Sequence, residues 1–217
     1  STFVHSMKNQ LLSSRVIYKR IDQLYEQPEL DTGKLKEYID TLRTVNDAML
    51  LRMEELYRCV KTKSIFMVPV EISDLVEDTL ERFHGKYPEV TILVENAGVE
   101  RILADKVQLG EALYNLLVNA QEAVLSADKG EKGEVSLKIR NERLYTVIEV
   151  RDNGCGMAKH QIKKIFEPFY SSKNSNSNWG MGLYYVREIV KSHLGFMRVD
   201  STEGKGSCFY ILLPKYQ

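Results

Sequence analysis

Residues 152–157 read DNGCGM, close behind the run TVIEV (146–150), which has the character of a strand. An aspartate and two glycines at a strand exit are the makings of an ordinary turn. They also suit the floor of a pocket, because Gly154 and Gly156 permit φ > 0 and close backbone approach to a flat ring. Asp152 could then accept a hydrogen bond from an exocyclic amine such as adenine N6. The stretch alone leaves both readings open.

The chain on either side supplies the context. Upstream, NLLVNAQEA places Asn115 and Asn119 four residues apart, on one face of an otherwise apolar helix over 105–126. Asparagine is a poor helix former, so two on one face need a reason. A surface stripe or an interhelical hydrogen bond would explain one. Carboxamide oxygens aimed into a cleft would explain both, since Mg²⁺ binds through few protein oxygens plus substrate phosphates. Downstream, NWGMGLYYVREIV sets Gly180, Gly182 and Leu183 at the head of a helix over 181–193. Such an N-terminus offers free N–H groups and a positive dipole end to phosphate, though a plain helix start looks the same. TEGKGSCFYILL has Gly204 and Gly206 ahead of the last strand, where a hairpin turn is the simpler reading.

The chain has 217 residues, 43% hydrophobic and 28% charged, which suits one large or two small globular domains. Lys+Arg and Asp+Glu are both 30, and this balance points away from nucleic acid and from contact with a membrane surface. Cys59, Cys155 and Cys208 have no metal-ligand spacing, so reduced thiols in a cytoplasmic setting are expected. No apolar run approaches the roughly 20 residues of a membrane-spanning helix. The chain starts at Ser1 inside a helical pattern, which suggests a piece of a longer protein.

Two parts with different patterning follow. Val4, Met7, Leu11, Tyr18, Ile21 and Tyr25 form a helical seam interrupted only by Ser14. QPELDTG breaks the helix with Pro28 and Gly33. A second seam runs through Leu35, Tyr38, Leu42, Val45, Met49, Leu56 and Cys59, widened by Ile39, Met53 and Val60. The expected product over 1–63 is an antiparallel helical hairpin, too thin to cover its own stripe. Two copies in a four-helix bundle would cover it, so a homodimer is expected. Residues 64–217 mix helices (71–87, 105–126, near 158–166, 181–193) with strands (90–94, 101–104, 134–140, 144–150, 195–200, 207–213). The polar SSKNSNSN between two helices has the size of a lid. The fold class is α+β: a helical hairpin followed by an α/β sandwich with a mixed sheet.

In order, the blocks are NxxxNAxEA, strand–DxGxGM, FEPFYSSK, GxGLxxV opening a helix, and EGxGSxFxxxLP, covering 115–214. Together they resemble the nucleotide-binding boxes of the GHKL (Bergerat) ATPases, specifically the catalytic domain of sensor histidine kinases. No GxxxxGK[ST] is present, so this is not a P-loop protein. The resemblance implies ATP and Mg²⁺ held between the asparagine helix and a lid. It implies Asp152 on the adenine amine, with Gly154 and Gly156 around the ring. Asn119 would ligate the metal and Asn115 would lie beside the phosphates. Lys173, in the lid, would neutralise charge on the γ-phosphate during transfer.

FVHSMKNQL (3–11) supplies an acceptor: His5 and Asn9, at i and i+4, share a face beside the apolar seam. A lone surface histidine usually means nothing. Ahead of a GHKL domain, on a paired helix, it resembles the H-x-x-x-[NT] stretch of the dimerisation and phosphotransfer module. The resemblance implies that His5 takes the phosphoryl group and passes it to an aspartate of a response-regulator receiver domain. Asn9 would orient a water for removing it there. Two departures stand out: Ser6 follows His5 where the family often has Glu or Asp, and Asn178-Trp179 precede Gly180 where it usually has a further glycine. Two other readings compete. A hydrolytic relative of the gyrase, MutL or heat-shock chaperone type would resemble its family in a water-activating Glu four residues before the metal-binding Asn, and this chain has Asn115 there. A degenerate kinase acting as a regulator-binding dimer draws support from Ser6.

Overall fold

The computed structural model describes residues 2–27, 30–61, 65–127, 133–171 and 180–216. They form two compact units, one ending at Arg58 and the other starting at Cys59. Among the described residues no helix is long and apolar enough to cross a membrane.

The first unit is built from α1 (Thr2–Tyr25) and α2 (Thr32–Lys61). Asp31 caps α2: its Oδ1 accepts from Lys34 N at 3.0 Å. Gly33 therefore lies in the first turn of α2 and is no part of the break. N–H groups there lack intrahelical partners in any case, so glycine is tolerated. On α2 the covered line runs through Leu35, Tyr38, Leu42, Val45 and Met49, as the periodicity predicts. On α1 it does not follow the predicted seam throughout. Leu11, Tyr18 and Tyr25 are 55%, 54% and 65% exposed, while Gln10, Ser14, Ile17, Ile21 and Leu24 are covered. The two lines share the half-buried Met7 together with Ser14 and Ile21, and otherwise differ by one residue, about 100° around the helix. α1 is apolar on more than one stripe, and one chain covers only one of them.

The second unit has a small antiparallel pair, β1 (Val68–Glu71) with β3 (Arg101–Ala104), and a five-stranded sheet. The sheet order is β2 (Ile92–Ala97), β4 (Val135–Asn141), β5 (Tyr145–Asp152), β7 (Gly206–Pro214), β6 (Phe196–Thr202). Only β2 and β4 are parallel, so the sheet is mixed as expected. β2 is shifted from the expected 90–94 to 92–97 because its register with β4 pairs Ile92 with Val135 through Ala97 with Arg140. Helices α3 (Ile72–Lys86), α4 (Lys106–Leu125) and α6 (Gly182–Ser192) share one core with the sheet. The short α5 (Lys159–Ile162) follows β5. Leu109, Leu113, Leu116 and Leu117 of α4 are fully buried in this core with Leu137, Ile148, Ile189 and Ile211. That burial is the main drive for the layer, at about 1.5–3 kcal/mol per large side chain. It also fixes which face of α4 remains for chemistry.

Candidate nucleotide site

Burying the leucine face of α4 leaves Asn115, Asn119 and Ala123 in line on another, four residues apart. Each meets a different neighbour. Asn115 donates from Nδ2 to Glu111 O at 2.8 Å. Its Oδ1 faces Gly182, the first residue of α6, where a Cβ would sit 3.3 Å away. At the other end, Ala123 O accepts from Cys155 N at 3.0 Å. A Cβ on Gly154 would lie 2.4 Å from the Ala123 carbonyl carbon, so only glycine lets the loop touch the helix. Asn119 therefore lies between the head of α6 and the DNGCG loop. It is half-buried, and its side chain makes no hydrogen bond to a described residue.

The expected freedom of φ applies to one of the two loop glycines. Gly156 has φ +62°, whereas Gly154 is required by close approach alone. Asp152 is 5% exposed, and its Oδ1 accepts from Gly154 N at 2.9 Å and Ser207 N at 3.2 Å. Two backbone N–H groups thus fix a buried carboxylate at the strand exit. Gly204 and Gly206 do form the β6–β7 turn, and they do more. Gly204 N donates to Cys155 O at 2.6 Å, and a Cβ on Gly206 would fall 2.1 Å from Asp152 O. The turn therefore seats the loop. Ser207 and Ser201 were not singled out in the sequence: Ser201 Oγ accepts from Met157 N at 2.9 Å. The GS that opens the last strand is a signal for Ser207 alone.

At the head of α6 the N-cap residue Met181 gives no side-chain cap, so among the described residues the first-turn N–H groups are left for a ligand. Gly180 has φ +67°, and its Cβ position would overlap Tyr170 O, so the residues bordering 172–179 meet. Lys173, Asn178 and Trp179 lie outside the described residues. His5 falls in the first turns of α1 with its side chain outside what the structure describes, and Asn9 is exposed on the same helix. Among the described residues no three His, Cys, Asp or Glu side chains gather as a metal site. Oxygens of Asn115 and Asn119 beside an open helix N-terminus are the donor set that fits a hard cation shared with phosphates. Glu111, one turn before Asn115, pairs through Oε1 with Arg82 and is engaged elsewhere.

Residues 104–217 match the family described as histidine kinase-, DNA gyrase B- and HSP90-like ATPase. The chain belongs to this ATPase family. The matched span contains α4, the loop that follows β5 and α6. Relatives extend the likeness into the helical unit. Sensor histidine kinase ZraS of Salmonella typhimurium is 28% identical over 97% of this chain and 44% of its own length. Methanogenesis regulatory histidine kinase FilI of Methanothrix harundinacea is 34% identical over 85% of this chain and 21% of its own. The chain thus spans less than half the length of these relatives. Among solved structures, histidine kinase AdeS of Acinetobacter baumannii covers 97% of both chains at TM-score 0.69 and 15% identity. Histidine kinase ThkA in complex with response regulator TrrA aligns over 99% of this chain at TM-score 0.65 and 19% identity. At these identities the likeness is one of fold.

Proposed function

We propose that the chain is the kinase core of a two-component sensor histidine kinase: it binds Mg-ATP, phosphorylates His5 and passes the phosphoryl group to a response-regulator aspartate. The carrying observation is Asn119, half-buried and without a partner among the described residues, between the open N-terminus of α6 and the Asp152 loop. In this reading Asp152 receives the adenine amine, and the loop glycines let the ring approach the backbone. The N–H groups from Gly182 and Leu183 onward receive phosphate oxygens, with Asn115 beside them and Lys173 from the lid. Mg²⁺, held by Asn119 and the phosphates, would supply charge neutralisation. The neutral imidazole of His5 attacks the γ-phosphorus in line, and the bond to the ADP oxygen breaks as the new N–P bond forms.

Residues 1–63 serve as the dimerisation and phosphotransfer part and 64–217 as the ATP-binding part. The relatives named sensor histidine kinases align through both, which supports a phosphotransferase over a hydrolytic ATPase. The partner is the receiver domain of a response regulator, and Asn9 would hold the water that dephosphorylates it. A cytoplasmic location follows from this role. Incubation with γ-labelled ATP tests the reading. Acid-labile, base-stable label should appear on wild-type protein and vanish in Asn119→Ala, whose melting temperature should be unchanged. Label retained in Asn119→Ala would remove Asn119 from the metal, and free phosphate without labelled protein would favour the hydrolytic reading.

A further inference from the structure

His193 is 0% exposed, the least accessible imidazole position in the catalytic unit, and phosphoryl transfer as proposed makes no use of it. It ends α6. Its Nδ1 lies 2.8 Å from Ile189 O, one turn back, and must donate there. Its Nε2 is 2.9 Å from Asp105 N and accepts, which fixes a neutral tautomer. Asp105 in turn heads α4: Oδ1 accepts from Gln108 N at 3.1 Å, and Oδ2 from Phe66 N at 3.1 Å and Gln108 Nε2 at 3.2 Å. The residue that ends one helix thus holds the residue that starts the other.

The other end of α6 carries Gly182, which meets Asn115, at the middle of α4, at the proposed nucleotide site. From Asp105 to Asn115 is about 15 Å along α4, and from Gly182 to His193 about 16 Å along α6. The helices therefore run antiparallel side by side, pinned at the far end by one hydrogen bond and closed at the near end by Gly182 against Asn115. A small tilt at the pin moves the phosphate-binding N-terminus of α6 relative to both asparagines.

We infer that the Asp105–His193 pair is a clamp that positions α6 on α4, and so sets the spacing of the phosphate-binding turn from Asn115 and Asn119. The inference rests on the ATP-site reading above. His193 is a positioning residue, about a helix length from any bound nucleotide. Phe66 attaches the segment that leads into the unit to the same aspartate, so displacement of that segment pulls on the clamp.

The test uses the whole chain with three variants: His193→Leu, which removes the acceptor; His193→Asn, too short to reach Asp105; and His193→Gln, whose carboxamide oxygen can still accept. Hydrogen exchange is followed first without nucleotide. Loss of the clamp should speed exchange at 185–188, the first hydrogen-bonded amides of α6, in the Leu and Asn variants but not in the Gln variant. Titration with a fluorescent ATP analogue and Mg²⁺ should then show about tenfold weaker binding for Leu, a smaller loss for Asn and near-wild-type affinity for Gln. Faster exchange confined to 189–194, or equal affinity in folded Asn and Gln variants, would overturn the clamp. If His193→Leu does not fold, the Asn–Gln comparison decides. Failure of the wild type to bind the analogue would instead sink the ATP-site reading, and the exchange result would still judge the clamp.

Discussion

Asp152 shows how little of a residue's job lies in its own side chain. It is buried, and two N–H groups, from Gly154 and Ser207, hold one of its oxygens. Asp152→Asn keeps an oxygen to accept those bonds, so the loop should survive. What changes is the charge that would meet the adenine amine, and one charge-assisted hydrogen bond is worth about 1.5–3 kcal/mol. ATP affinity should fall roughly tenfold to a hundredfold, and the preference over GTP should shrink with it. Unchanged affinity and selectivity in a calorimetric titration would make Asp152 a turn residue only. Gly154 is a harsher case, because any Cβ meets the backbone of α4. Gly154→Ala should lift the loop off Ala123 and weaken ATP binding at least as much as Asp152→Asn. Wild-type affinity in a folded Gly154→Ala protein would contradict that close approach.

Elements carry effects that single residues do not. The contact between α4 and α6 depends on a neutral His193, and burial holds its imidazole below the ordinary value of 6.5. The group facing it is Asp105, from the head of α4. Near pH 6.5 the unfolded chain takes up a proton that the folded chain refuses, so the unfolded state binds more protons and stability falls as the pH is lowered. Above that range the contribution is fully present. Urea midpoints measured from about pH 7.5 down to about pH 5.5 should decline in the wild type and decline less in His193→Gln. Parallel slopes would mean that His193 does not titrate in this window. Cys208 on β7 behaves differently: burial lifts its thiol to about 11, so it stays protonated throughout.

The whole molecule is where the helical unit finds its explanation. Leu11, Tyr18 and Tyr25 lie open along one stripe of α1. Covering each would gain about 1.5–3 kcal/mol, enough over three positions in two chains to drive association. Wild type should sediment as a dimer at micromolar concentration, and Leu11→Glu with Tyr18→Glu should sediment as a folded monomer. A monomeric wild type would remove the bundle. The two proposed activities should also separate along α1. His5→Ala should abolish label on the protein while leaving nucleotide binding intact. Asn9→Ala should keep most of the labelling but slow loss of phosphate from the regulator, by a large factor if water positioning carries the step. Label on His5→Ala, or full phosphatase activity in Asn9→Ala, would refute the corresponding half.

The sequence by itself settled what depends on local pattern. α3, β3, α4, α6 and the β4–β5 hairpin fall within about two residues of their periodicity, because burial on one face imposes a period that the chain must carry. Spacing alone put Asn115 and Asn119 on one face of α4, and the ordered boxes pointed to the nucleotide. The tertiary structure decided what depends on partners distant in the chain. The end of β2 was set by parallel pairing with β4, which no local signal encodes. Which stripe of α1 is covered could not be read, since both satisfy the same heptad. Gly154 and Gly206 looked like turn glycines, yet each is fixed by a backbone passing within van der Waals reach. Ser207 and His193 gave almost no sequence signal: one acts through a main-chain N–H, the other through a bond to a residue 88 positions away. Local periodicity is written along the chain, whereas close approach and hydrogen bonding across it exist only once the layers have packed.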